Sequence, residues 1–498
     1  MDITQRRLVR ATILIVAMLV ALRLAAAALT PLSFDEAYYW TWSKHLAASY
    51  YDHPPMVAWV IRLGTMIAGD TAFGVRLVSV LLALPMSWAT WRAAELLFGD
   101  RRVAASAAIL LNATMMAAAG TAIVTPDAPL LVASSFVLYA LAQVVATGRG
   151  LWWLGVGTAV GAALLSKYTA LFFGPAILIW LVAVPDLRCW LRSPWPYLGG
   201  LIALGMFAPV ILWNADHQWM SFTKQFGRAR VDGFHPGFIA ELFPTQFMLA
   251  TPLVFILGTM GLYALLRRDT GTAAARGLIN ATVWTIFGYF VWHATHSRVE
   301  GNWLSPIYPA FAVAAAVAAT MVQWPPQQQR LVDFCRRWAV PGSAALFVLI
   351  ILQVNTGLLT GYKRDASVRA IGVGVPRMVG EIEAVRQRVG ASCVVADDYG
   401  TTSWLAFYLP KGTCVAQRNE RYRWTNTPEP DPARLAGKLL LVGVDNAATQ
   451  PEVAPHFARI DKVGVVTRQR GPLVVDRVEL DTLEGATGAV LDRSPPAR

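Results

Sequence analysis

The chain has 498 residues, with 43 Lys and Arg against 31 Asp and Glu and a formal net charge of +12. Hydrophobic residues make up 55% of it and charged residues only 15%. That excludes a disordered chain and argues against a soluble globular enzyme, which averages about 25% charged residues.

Apolar runs long enough to cross a bilayer core recur at roughly 9–30, 75–98, 103–120, 128–147, 151–166, 168–185, 196–214, 244–266, 277–294, 304–323 and 340–359, which predicts about eleven transmembrane helices. The first reads as a span rather than a cleavable leader. With the N-terminus inside, Arg6, Arg7, Arg10, Arg101, Arg102, Arg149, Arg188, Arg267, Arg268 and Arg336 all fall on inner connections, as the positive-inside rule expects. The basic surplus is therefore mostly topological, and no single basic face points to nucleic acid. Residues 1–360 read as a membrane domain. An odd number of spans puts 363–498 outside, where composition shifts to a small α/β domain with strands near 392–396, 439–444 and 463–467 and a helix near 378–389. Cys393 and Cys414 share that domain, where oxidation is permitted; a disulfide and two buried thiols are equal alternatives. Cys189 and Cys335 read as free thiols at the inner face.

The first outer loop, 31–74, is too long for a simple turn. Its stretches 36–45 and 56–67 read as amphipathic helices lying in the membrane interface, with Tyr38, Tyr39, Trp40, Trp42, Tyr50 and Tyr51 as interfacial anchors. Asp35 and Glu36 follow closely on an apolar span, where adjacent carboxylates cost desolvation energy unless they are paired or functional. The alternative is a solvated helix start capped by Ser33 or Asp35. Other outer connections carry Asp127, then Lys167 and Tyr168, then Asp216, His217, Lys224, Arg228, Arg230, Asp232 and His235, then His293, His296, Arg298, Glu300 and Asn302. Lys44, Lys167, Arg228, Arg230 and Arg298 run against the positive-inside bias, and binding phosphate is one reason for an outer cation. Snorkelling is the other, and is preferred for Lys44. His293 and His296 lack a third ligand at diagnostic spacing. Gly155, Gly157 and Gly161 sit within a span and suit helix contact better than dinucleotide binding. Neither a Walker A motif nor Gly-x-Ser-x-Gly is present.

The ordered blocks FDEAYYW, YYDHPPMVAW, GVRLVSVLL, TPDAPL, LLSKYTAL and HSRVEGNWLSPIYP, covering about residues 10–310, resemble the bacterial GT-C glycosyltransferases of the protein O-mannosyltransferase and lipid A aminoarabinose transferase type. The stretch DDYGTTSWLAFYLP resembles the tails of bacterial members. The resemblance implies a GT-C-like polytopic enzyme of the inner membrane, moving sugar from a polyprenyl-phosphate carrier to an envelope acceptor, with lipid A or core oligosaccharide favoured. It implies Asp35 and Asp127 as catalytic residues and Lys167 as a substrate-binding one. Glu36, Tyr38, Tyr39, Asp52, His53, Tyr168, His296, Arg298 and Asn302 complete the expected substrate-binding set. The Asp52-His53-Pro54-Pro55 stretch departs from the Glu-Lys-Pro-Pro-like form of aminoarabinose transferases, placing an imidazole, a side chain whose charge ordinarily changes near neutral pH, where lysine is a fixed cation. That leaves the sugar open. The sequence identifies no cofactor, and a divalent cation stays open. A multi-span transporter or flippase is the rival class, which inverted repeats and midplane polar groups would mark.

Overall fold

The computed structural model describes residues 3–227, 233–358, 365, 369–444 and 446–495. Arg228, Arg230 and Asp232 lie outside the described residues. The chain divides into two compact units, one formed by Met1–Ala25, His53–Val60 and Arg76–Phe347 and the other by Ala26–Asp52, Ile61–Val75 and Val348–Arg498.

The first unit is helical. Among the described residues, six helices of the chain are long and apolar enough to cross a membrane, or eight if each of two bent pairs is one span. Those formed by a single helix include α1 (Ile3–Leu29), α8 (Asp127–Thr147) and α11 (Pro194–Asp216), numbering helices along the chain. One bent pair joins α6 (Arg101–Asn112) to α7 (Met115–Ala122) at 53°. The other joins α13 (Gly237–Leu249) to α14 (Pro252–Arg267) at 105°. The cause of the second bend is local. Pro252 cannot continue a hydrogen-bonded ladder, and Thr251 before it takes φ +62°, a region that branched side chains avoid. The Thr251 hydroxyl donates to the Ala113 carbonyl at 3.0 Å, which helps hold the corner.

Small residues let the helices meet. A Cβ on Gly157 of α9 (Trp152–Ser166) would lie 2.1 Å from the Gly199 carbonyl oxygen of α11. One on Gly161 would collide with Met206. A Cβ on Gly261 of α14 would lie 1.8 Å from the Ala314 carbonyl oxygen of the alanine-rich α16 (Tyr308–Thr320). These glycines serve backbone approach between helices, the packing device of membrane bundles.

The second unit contains α2 (Phe34–Lys44) and a five-stranded sheet in the order β2-β1-β3-β5-β4. The strands are β1 (Cys393–Ala396), β2 (Cys414–Gln417), β3 (Leu439–Gly443), β4 (Phe457–Arg470) and β5 (Leu473–Ala486). β1 pairs in parallel with β2 and β3, while β5 runs antiparallel to β3 and β4. The sequence reading located β1, β3 and part of β4. It missed β2, an edge strand of only four residues, and β5, whose apolar residues are interleaved with polar ones along a hairpin. β1 and β3 are buried on both faces. On one face Val394, Ala396, Leu440 and Val442 pack with Val379 and Ile382 of α18 (Val375–Val389), Leu405 of α19 (Tyr399–Tyr408) and Ala37 of α2. On the other, Cys393 and Val395 pack with Leu439, Leu441 and Leu483. Cys393 and Cys414 face each other in register on neighbouring strands and form a disulfide. Cys189 and Cys335 are free, the first exposed and the second buried.

Candidate active site

Ser33 starts α2 with a reciprocal cap. Its hydroxyl accepts from the Glu36 amide at 3.1 Å, and the Glu36 carboxylate accepts from the Ser33 amide at 2.9 Å. Two orphan backbone donors are thereby satisfied. Glu36 is fully buried in this role. Asp35, one residue earlier, is only partly buried and projects from the first turn, where the helix dipole favours negative charge. The Tyr399 hydroxyl donates to Asp35 Oδ1 at 3.1 Å.

Asp52 receives both bonds from one Arg423 nitrogen, at 3.1 and 3.0 Å. Arg423 Nε donates to Glu420 at 2.6 Å, and the guanidinium lies 4.7 Å from the Tyr399 ring and 5.1 Å from the Tyr51 ring. Burial works against the Arg423 charge, but Asp52, Tyr38 and Glu420 outweigh it and raise its pKa above the usual value. Tyr38 is buried and donates to the Arg423 carbonyl oxygen at 3.3 Å, with its ring against Trp42, Tyr399 and Trp424. Tyr39 is also buried and packs on Trp42 at 4.8 Å. Lys44, read as a snorkelling cation, instead forms an ion pair with Asp70, which also accepts from Trp40 Nε1 at 2.9 Å.

The first unit builds a separate polar cluster. Asp127 opens α8 and is fully buried. Lys167 sits at the end of α9 with extended backbone, and its Nζ donates to Asp127 Oδ1 and Oδ2 at 2.8 and 3.0 Å. The 3-10 helix Gly301–Ile307 adds Asn302 Nδ2 at 2.7 Å and Ser305 Oγ at 2.6 Å to the same carboxylate. The Asn302 carbonyl oxygen lies 3.4 Å from Lys167 Nζ. Two low-dielectric charges are thus mutually neutralised and saturated with hydrogen bonds, the condition for burying an ion pair. Tyr168 shares a 2.8 Å hydrogen bond with Ser221 and packs against Phe207 and Phe222. His53 is partly buried just before α3 (Met56–Ala68). His296 Nδ1 is 2.7 Å from the Thr295 hydroxyl, and its ring stands edge-on to Phe234. Arg298 pairs with Glu241 at 3.1 Å, both well exposed. Among the described residues, no three His, Cys, Asp or Glu side chains cluster as a metal site.

Residues 52–213 match the family model of dolichyl-phosphate-mannose-protein mannosyltransferases. A lipid A galacturonosyltransferase, RgtD of Rhizobium johnstonii, is 27% identical over 300 residues, or 58% of this chain and 61% of that protein. An undecaprenyl phosphate-α-4-amino-4-deoxy-L-arabinose arabinosyl transferase of Pseudomonas fluorescens is 29% identical over 185 residues, 36% of this chain and 31% of its own length. The chain thus spans less than two thirds of the curated relatives it matches. The solved structure of ArnT from Cupriavidus metallidurans bound to undecaprenyl phosphate superposes with a TM-score of 0.64 at 16% identity, over 97% of this chain and 99% of that one.

The fold is of the GT-C type. The likeness read from the ordered sequence blocks is upheld by the family model, the relatives and the fold together. Within this GT-C fold the structure groups Asp127, Lys167 and Asn302, and separately Asp35, Asp52, Tyr38 and Tyr39. Four residues of these clusters escaped the sequence reading: Ser305, Tyr399, Glu420 and Arg423. The signal for Tyr399 was in view, since DDYGTTSWLAFYLP stood out without a role.

Proposed function

We propose that this protein is a membrane glycosyltransferase that moves a sugar from a polyprenyl-phosphate donor to an envelope acceptor, lipid A first among them, on the outer face of the cytoplasmic membrane. The match over 300 residues to a protein named as a lipid A galacturonosyltransferase carries this reading, and makes a uronic acid the sugar to test first. The polyprenyl donor draws support from the undecaprenyl phosphate bound in the ArnT structure of the same fold.

In the reaction we infer, the acceptor hydroxyl oxygen attacks the anomeric carbon opposite the phosphate. The bond from that carbon to the phosphate oxygen breaks, the polyprenyl phosphate leaves as an anion, and the product is inverted. Asp35 takes the hydroxyl proton, as its place in a partly open first turn allows. The leaving group is already anionic and needs electrostatic stabilisation more than a proton. Lys167, Arg298 and His53 are the cations proposed for that task, with Lys167 sharing its charge between Asp127 and the phosphate. Asp52, Glu36, Tyr38, Tyr39, Tyr168, His296 and Asn302 shape the surroundings. The acceptor could equally be core oligosaccharide.

Eleven crossings follow if the two bent pairs count once each and Trp152–Ser166, Tyr168–Ala183 and Ala273–His293 also span. The helix α3 exposes Leu63, Met66 and Ile67, which suits a place in the membrane interface. The disulfide supports an outer location for the C-terminal domain.

Mass spectrometry of envelope lipids from cells with and without the gene tests the function. A mass difference of one sugar on lipid A or core, restored by the wild-type chain and abolished by a well-folded Asp35→Asn variant, is expected. Unchanged glycans in both strains overturn it.

A further inference from the structure

We propose that Tyr399, in the C-terminal α/β domain, is a positioning residue for the Asp35 carboxylate, which makes that domain part of the catalytic apparatus. The inference rests on Asp35 serving as the base, as read above.

The cap at Ser33 and Glu36 fixes the backbone of the first turn of α2 but leaves the Asp35 side chain two rotatable bonds. The hydrogen bond from the Tyr399 hydroxyl to Oδ1, at 3.1 Å, restrains both. Tyr399 can do this because it is itself rigid. It is the first residue of α19, whose start is capped by Asp398 accepting from the Thr401 amide at 2.7 Å. Its ring meets Phe34 edge-on at 5.7 Å and Tyr38 at 5.1 Å, with the Arg423 guanidinium 4.7 Å away. Arg423 is in turn clamped by Asp52 and Glu420. Each link is a short contact between groups with few alternatives, the supporting shell a reactive side chain needs.

Two ties bring the segment before α2 to the same domain. The Gly372 amide donates to the Leu32 carbonyl oxygen at 3.0 Å, and Trp404 Nε1 donates to the same oxygen at 3.1 Å. Burial pushes the Tyr399 phenol well above its usual range, and the charges of Asp35 and Asp52 push it further. It therefore stays a donor at any working pH. A donor on a carboxylate favours the ionised form, which is the form a base must hold. Within this unit the charged or titratable groups near Asp35 and Tyr399 include Glu36, Tyr38, Tyr39, Asp52 and Arg423.

Full-length Tyr399→Phe keeps the ring and removes only the donor. Turnover in vesicles containing polyprenyl-phosphate galacturonate and lipid A is expected to fall about tenfold with KM nearly unchanged, as for one lost hydrogen bond to a charged group. The acid limb of the pH–rate profile should move up by about half to one pH unit. In carboxyl-13C aspartate spectra, the Asp35 resonance, assigned by its loss in Asp35→Asn, should show the same upward move without any substrate. Tyr408→Phe is the control, because the Tyr408 hydroxyl accepts from the Leu32 amide at 3.2 Å, so the change removes a hydroxyl that holds the same segment through its backbone. It should move neither readout. An unchanged Asp35 titration in Tyr399→Phe, or an equal move in Tyr408→Phe, overturns the inference. Wild-type turnover in Asp35→Asn would instead remove Asp35 as the base, while the titration still decides whether Tyr399 positions it.

Discussion

Asp127 is the clearest case of a residue whose partners decide its meaning. In the sequence it is one acid after Thr-Pro, at a helix start where a solvated cap would serve. In the structure it accepts from Lys167, Asn302 and Ser305, with no side-chain exposure to speak of. Removing one member of such a pair leaves an uncompensated buried charge, which costs about 3–5 kcal/mol. Lys167→Ala and Asp127→Ala should each lower the unfolding midpoint of the detergent-solubilised protein sharply. The double variant Asp127→Leu, Lys167→Met should recover most of the loss in the same measurement. The Lys44–Asp70 pair behaves differently because a quarter of each side chain is exposed. Burial pushes the Asp70 pKa up, but the hydrogen bonds from Lys44 and Trp40 prevail and leave it below its usual value. A carboxylate with a depressed folded pKa stabilises the fold above its unfolded pKa, near 4, and loses that contribution as pH falls through the folded value. Asp70→Asn should therefore destabilise by less than about 1 kcal/mol at pH 7. The two proteins should converge in thermal melts once the pH has fallen through the folded pKa of Asp70.

At the scale of elements, two features were decided by pairing. β1 and β2 are four-residue strands that pair in register, with β2 at the sheet edge and Cys393 opposite Cys414. The disulfide closes a sequence separation of 21 residues between them, and closing a loop of that size removes unfolded-state freedom worth about 2–4 kcal/mol. Cys393→Ala with Cys414→Ala should lower the stability of the C-terminal domain by that order, read by denaturant titration of its tryptophan fluorescence. The capping box of α2 is the second feature. Ser33 three residues before Glu36 is a legible signature, and it separates the two adjacent acids into a structural one and a partly exposed one. The helix glycines were legible too, though only the fold shows that Gly157 and Gly161 face α11 while Gly155 has ordinary neighbours.

At the scale of the whole chain, the distribution of arginines makes a topological prediction. Cys189 is an exposed free thiol on a connection placed inside, between Arg188 and Arg192. In a Cys335→Ser background, a membrane-impermeant maleimide should label Cys189 only after the inner membrane is opened. An external protease should reach the 363–498 segment without that step. Labelling of Cys189 in intact spheroplasts would reverse the assigned orientation.

Composition, apolar run lengths, arginine placement and ordered motif blocks by themselves determined a polytopic helical protein of GT-C likeness with an α/β tail, because each is a local property of consecutive residues. Which side chains meet was decided only by tertiary structure. Asp35 finds Tyr399 across 364 positions, Asp52 finds Arg423 across 371 and Asp127 finds Asn302 across 175. A hydrogen bond depends on where two atoms lie within about 3 Å, and no pattern of neighbouring residues encodes a distance that the folding of hundreds of intervening ones must set.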